Sequence, residues 1–147
     1  MKNLFALFLL LISFNSFSQD FDEIRPYRSG YSWVYKEGRQ GLLGKDGEIL
    51  IPAIYDNISE FSDGYAWTYL DGKQGLIDLL GNITIPNIYD NIGDFKKGLA
   101  WTYKDGKQGL IDINGNVIIP NKYDDIVPYS RKFFKARNEG KETLIGK

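Results

Sequence analysis

"AWTYLDGKQGLIDLLGNITIPNIYD" (66–90) and "AWTYKDGKQGLIDINGNVIIPNKYD" (100–124) are near copies, and reading them as one motif decides the fold. Laid on itself at an offset of 34 residues, the chain aligns Trp33, Trp67 and Trp101, then Gly41, Gly75 and Gly109, then Ile51-Pro52, Ile85-Pro86 and Ile119-Pro120. "FDEI" at Phe21, "YDNI" at Tyr55 and Tyr89, and "YDDI" at Tyr123 fall into the same frame. A period in this range marks supersecondary units that stack on one another. The units run 21–54, 55–88 and 89–122, with a partial fourth at 123–147. In the fourth, Lys135 stands in the tryptophan column and Thr143 in the glycine column. Terminal repeats diverge where one side meets solvent instead of a neighbour, so 123–147 reads as a C-terminal cap.

Within a unit the signals are β throughout. The Asp71-Gly72 and Asp105-Gly106 pairs separate runs of aromatic and β-branched residues, and Glu37-Gly38 and Glu139-Gly140 hold the same place in the outer units. Such a pair predicts a two-residue type I′ hairpin, whose turn needs positive φ at both positions. Counting outward sets Tyr69 opposite Gln74, Thr68 opposite Gly75, Trp67 opposite Leu76 and Ala66 opposite Ile77. One face then carries Tyr65, Trp67, Tyr69, Gln74 and Leu76, and the other carries the small set Ala66, Thr68 and Gly75 with Ile77. Both faces are largely apolar, which predicts cover on both sides without saying which is the more buried.

A second turn ends in Gly47, Gly81 or Gly115. Leu80 resists positive φ, so a type I turn with the glycine left-handed fits every unit. Pro52, Pro86 and Pro120 have no N–H for a ladder and are expected at strand ends or on an edge. The segments "YDNISEFSDG" and "YDNIGDFKKG" read as a short strand or turn leading to the next hairpin. The expected architecture is all-β, with about three antiparallel strands per unit stacked into an open, curved or solenoid-like array. A closed propeller needs at least four blades of ~40 residues, more than is present.

The first residues, "MKNLFALFLLLISFNSFSQ", have one basic residue, Lys2, an apolar run over Leu4–Ile12, then small residues at Ser16 and Ser18. This is the plan of a secretory signal peptide at 1–18, with Gln19 as the new N-terminus. The apolar run is short of the ~20 residues that cross a bilayer, so the single repeat domain at 19–147 is expected not to span a membrane. The chain carries a net charge of -1, and loss of Lys2 with the leader takes it to -2. No broad basic face is present, which argues against a nucleic-acid partner. The absence of Cys and His removes a disulfide framework, a thiol nucleophile, a histidine base and the usual zinc ligands.

With these motifs in place, "GKQGLIDLLGNITIPNIYDNIGDFKKGLA" and its neighbours resemble the WG-repeat family over essentially the whole mature chain. One departure stands out. The family usually places an aromatic before the repeated glycine, where this chain has Gln40, Gln74 and Gln108. The tryptophans lie on the paired strand instead, so the aromatic bulk has moved across the hairpin, provided that Gln74 and Trp67 share a face. The resemblance implies an all-β repeat array in often exported bacterial proteins with interaction roles, and it implies no catalytic residues.

Four features are candidates for function. The aromatic columns Trp33, Trp67 and Trp101 with Tyr35, Tyr69 and Tyr103 suit stacking on the sugar rings of a polysaccharide, or else fill the gap between stacked hairpins, and the packing reading is preferred. The recurring carboxylates Asp22, Asp56, Asp90 and Asp124, with Asp78 and Asp112, invite comparison with a glycosidase pair. A catalytic pair is a single asymmetric constellation, however, and residues that repeat in every unit read as turn and scaffold groups, like Gly41, Gly75 and Gly109. Asp112–Asn116 resembles the start of a calcium loop, but Tyr123 stands where the bidentate Glu belongs. Finally, "SRKFFKAR" (130–137) reads as an edge strand guarded by charge, with an anionic surface as the other reading.

The expected function is therefore an exported, periplasmic or extracellular, non-catalytic interaction module that needs no cofactor and binds a protein or cell-envelope component. A glycan-binding or glycan-cleaving protein is the alternative.

Overall fold

The structure is a computed structural model that describes residues 20–146. The leader at 1–18 lies outside the described residues. Among the described residues all regular structure is β, in four antiparallel sheets of meander order, none closed into a barrel. The first sheet holds β1 (Glu23–Ile24), β2 (Ser32–Lys36), β3 (Arg39–Leu43) and β4 (Ile49–Tyr55). The second holds β5 (Asn57–Ile58), β6 (Tyr65–Leu70), β7 (Lys73–Asp78) and β8 (Ile83–Tyr89). The third holds β9 (Asn91–Ile92), β10 (Leu99–Lys104), β11 (Lys107–Asp112) and β12 (Val117–Tyr123). The cap holds β13 (Asp125–Pro128), β14 (Phe133–Asn138) and β15 (Lys141–Gly146). The "YDNI" segments are thus real strands, and the first three sheets have four strands rather than about three.

Turn chemistry sets the hairpins. Glu37-Gly38, Asp71-Gly72, Asp105-Gly106 and Glu139-Gly140 all have positive φ at both positions, as type I′ requires. The register follows: Trp67 pairs with Leu76, Thr68 with Gly75 and Tyr69 with Gln74. In the second turn only Gly47, Gly81 and Gly115 are left-handed, while Leu80 is not. A third tight turn, at Ser29-Gly30, Asp63-Gly64 and Lys97-Gly98, joins each two-residue strand to its hairpin.

Of the two places expected for the prolines, the structure shows the edge. Pro52, Pro86 and Pro120 do lie on the outermost strand of their sheets, but in its middle, not at its end. Leu42 pairs with Ile51 and Gln40 with Tyr55, so β4 advances four residues while β3 advances two. The proline sits in that bulge, where its missing N–H breaks no ladder bond. The bulge also explains the repeated glycine. A Cβ on Gly75 would come within 2.6 Å of the Ile85 carbonyl and 2.8 Å of the Asn87 side chain. Asn87 Nδ2 donates to the carbonyls of Thr68 and Lys73, at 3.0 and 3.1 Å, stitching β8 to both arms of the hairpin across the glycine. Asn121 repeats this over Gly109, and Ala53 takes its place in the first unit.

The sheets stack asymmetrically. Leu42 and Ile51, with Trp33 against them, pack on Ala66 and Ile77 of the next unit. Leu76 and Ile85 with Trp67 do the same on Ala100 and Ile111, and Leu110 and Ile119 with Trp101 on Phe134 and Ala136. The bulky face of each unit therefore covers the small face of the one that follows. The small face is the more completely buried, since Ala66, Thr68 and Ile77 have almost no exposure while Trp67 and Gln74 are half-buried and Tyr69 is exposed.

Side chains tie neighbouring units together. Gln40, Gln74 and Gln108 each accept, through Oε1, the backbone N–H of Ile58, Ile92 and Ile126 in the next unit, at 2.7 to 2.8 Å. Gln74 also donates to the Tyr69 hydroxyl at 2.9 Å, so it shares a face with Tyr69 and hence with Trp67. The polar residue in place of the family's aromatic is thus an inter-unit clamp.

The stretch 130–137 corrects an expectation. Its strand, β14, is the centre of the cap sheet, between β13 and β15, so its charges guard a face and not an edge. Lys135 pairs with Glu142 at 3.1 Å and Arg137 with Asp125 at 3.5 Å on the face that no further unit covers among the described residues.

Candidate functional site

The carboxylate columns serve the scaffold. Asp22, Asp56, Asp90 and Asp124 each accept, through one oxygen, the N–H of the first residue in a hairpin tip, namely Glu37, Asp71, Asp105 and Glu139, at 2.6 to 2.8 Å. A type I′ turn leaves that N–H pointing outward, and the aspartate satisfies it. The second oxygen reaches back to a cation of the preceding hairpin: Arg39 to Asp56 at 2.6 Å, Lys73 to Asp90, and Lys107 to Asp124 at 2.5 Å. Lys73 beside Asp90, with the Asp105 N–H, holds the Asp90 carboxyl below the usual carboxylate range, and Lys107 with the Glu139 N–H does the same for Asp124.

Asp78 and Asp112 belong to the second turn. Asp78 Oδ1 accepts from the N–H of Leu80 and Asn82, and Oδ2 from Asn82 Nδ2. Burial pushes the Asp78 carboxyl up, but these bonds together outweigh it and hold it below the ordinary value. Asp112 makes the same bonds with Asn114 and Asn116, so the segment with a calcium-like spelling is an Asx-type turn. In the first unit Gly44 takes this place, and the Glu48 carboxylate folds into the volume that a Cβ there would need. Among the described residues, no three acidic groups are gathered to hold a metal ion.

What remains is a row of clefts walled by the tryptophans. The first, of about 460 Å³, is lined by Arg25, Arg28, Ser29, Tyr31, Trp33 and Glu60. The second, of about 340 Å³, has Glu60, Asp63, Tyr65, Trp67, Asp94 and Phe95. The third, of about 480 Å³, has Asp94, Lys96, Lys97, Leu99, Trp101 and Phe134. Glu60 belongs to the first two clefts and Asp94 to the last two, so the clefts adjoin. Each Trp ring is set by a neighbouring aromatic. Trp33 meets Tyr31 edge-on at 5.8 Å, Trp67 stacks on Phe95 at 6.0 Å, and Trp101 meets Phe134 edge-on at 5.7 Å. Burial raises the Tyr31 hydroxyl pKa, and the nearby Glu60 carboxylate adds to the shift.

The predicted aromatic residues therefore divide. Trp33, Trp67 and Trp101 are half-buried, packed on the core on one side and open to a cleft on the other. The tyrosines lie two residues further along the same strands and line none of these three clefts: Tyr69 and Tyr103 are exposed, and Tyr35 lies under Arg25 at 4.6 Å. The cleft rims escaped the sequence reading because their charges differ from unit to unit. Their signal is positional: 28/62/96, 29/63/97 and 60/94/128 are columns of the same frame that vary while their neighbours repeat.

The WG containing repeat family model matches the chain four times, over residues 20–39, 41–73, 75–107 and 109–141. No curated protein matches it.

Proposed function

We propose, for a chain that belongs to the WG-repeat family, that the row of tryptophan clefts is a non-catalytic binding surface for a protein or cell-envelope component. The observation that carries this reading is the recurrence of one cleft in three successive units, each with a half-open Trp wall. Against turnover stands the engagement of the repeated aspartates in turn and inter-unit bonds. Export to the periplasm or beyond rests on the leader-like residues 1–18.

Affinity capture from envelope extracts tests the reading, with Trp33→Phe, Trp67→Ala and Trp101→Phe variants whose folding is checked by circular dichroism. Loss of the captured partner in folded variants supports it; unchanged capture in all of them sinks it. The second reading, a glycan surface, rests on Tyr69 and Tyr103, which are 36% and 41% exposed. It predicts a shift of tryptophan emission on titration with a neutral polysaccharide, and release of reducing ends if the protein cleaves it. Export is checked by fractionation and N-terminal sequencing, with Gln19 as the expected first residue.

A further inference from the structure

The three clefts share a scaffold but not a charge. The first carries two cations, Arg25 and Arg28, with Glu60; the third carries Lys96 and Lys97 with Asp94. The middle cleft has three carboxylates, Glu60, Asp63 and Asp94, and no cation. Arg25 is tied to Glu23 at 3.0 Å, while Asp63, Lys96 and Lys97 stand at or beside exposed turns. The row therefore reads positive, negative, positive along three adjoining clefts, each walled by a tryptophan. Rims that alternate in sign are complementary to a ligand whose charges alternate in the opposite order.

Spacing narrows the ligand further. Sheets stacked face to face lie ~10 Å apart, so adjacent clefts repeat at about that interval. A polyproline II helix rises ~3.1 Å per residue with three residues per turn, which brings side chains i, i+3 and i+6 to one face at ~9.3 Å intervals. A β-strand would send residues three apart to opposite faces. Aromatic-walled grooves are also where such helices dock, because their extended backbone is already ordered before binding.

We propose that the cleft row recognises a polyproline II segment of a partner protein carrying an acidic, a basic and an acidic side chain at i, i+3 and i+6. The acidic residues enter the first and third clefts and the basic residue enters the middle one, over Trp67. The proposal rests on the reading of the clefts as a binding surface and adds to it the class and charge order of the ligand.

The test titrates the full-length protein at low salt with three synthetic peptides, following tryptophan emission. They are Glu-Pro-Pro-Lys-Pro-Pro-Glu, the charge-inverted Lys-Pro-Pro-Glu-Pro-Pro-Lys, and the clustered Pro-Pro-Glu-Lys-Glu-Pro-Pro, which has the composition of the first. Three rim contacts of the usual exposed strength predict about tenfold tighter binding of the first peptide than of either other. Asp63→Lys should narrow that preference, since it leaves two carboxylates against one cation in the middle cleft. The fold tolerates this change, because Lys97 already occupies the equivalent turn position, with φ of 54° against 52° at Asp63. Equal binding of all three peptides, or indifference to Asp63→Lys, overturns the charge order while leaving a binding surface in place. Absence of peptide binding overturns the ligand class, and a polysaccharide response in the same assay assigns the surface to glycans. Only unchanged partner capture in the tryptophan variants removes the surface itself.

Discussion

The hairpin β10–β11 of the third unit and the hairpin β14–β15 of the cap have the same turn, the same length and the same place in the repeat, yet they solve opposite problems. Leu110 and Leu144 are the same residue in equivalent positions, 2% and 51% exposed. Around Leu144, Lys135 replaces Trp101, Arg137 replaces Tyr103 and Glu142 replaces Gln108. On the other face Phe134 and Ala136 stay buried against the third unit, with Ile145 half-buried beside them. A unit is therefore two half-interfaces. From the second unit on, the small face is buried because a preceding unit covers it, whereas the bulky face is apolar where another unit follows.

The largest test of this comparison is the leucine pair. Leu110→Ala should cost about 2 to 5 kcal/mol in urea unfolding, as for a fully buried leucine, while Leu144→Ala should stay within about 0.5 kcal/mol. Similar losses at the two sites would mean that the cap's outer face is covered in solution.

Next comes the glycine column. Gly109→Ala brings a Cβ to 2.7 Å from the Ile119 carbonyl and the Asn121 side chain, and overpacking of that kind predicts a loss of about 1 to 3 kcal/mol. Thr143, its counterpart, lies on the last strand of its sheet with no bulged strand beside it, so Thr143→Ala should be nearly silent. Measured together by thermal unfolding, the two variants tell a rule of close strand approach from a general preference for glycine.

Asn121→Ala removes the bonds to the Thr102 and Lys107 carbonyls and should cost about 1 to 3 kcal/mol. The first unit already has Ala53 in this place, so a loss confined to the second and third units is expected.

The smallest effect is that of acid. Asp90 and Asp124 have carboxyls depressed by Lys73 and Lys107, and Asp78 and Asp112 by their turn bonds. A carboxyl whose folded pKa lies below its unfolded value stabilises fully above about pH 4, and that contribution is lost as the pH falls through the folded value. Unfolding midpoints should therefore decline below pH 4, and less so in Asp124→Asn, which gives up its share at neutral pH. The cap should loosen first under acid, since Asp124 ties it to the third unit through Lys107 and Glu139.

Much of this was legible in the residues. Asp-Gly pairs imply positive φ twice over, and that fixes the hairpin register by geometry alone. Leu80 implies a type I turn for the same steric reason. The strand-length bulge at Pro52, Pro86 and Pro120 was not legible, because it exists only once β4, β8 and β12 lie beside the repeated glycines. Asn87 and Asn121 carry no signal in the sequence beyond their repetition, and they are the stitches that hold the bulge. The cleft rims were hidden for another reason: a search for repetition discards the columns that vary, and those columns carry the charge.

The sequence by itself determined the period, the turns, the pairing within each hairpin and the family, because all of these follow from local sterics and a repeat of 34 residues. Only the tertiary structure decided which face is buried, why glycine and asparagine recur, and where the tryptophans open to solvent. Those depend on what one unit places against the next, and a packing partner is a property of the stack and not of any single repeat.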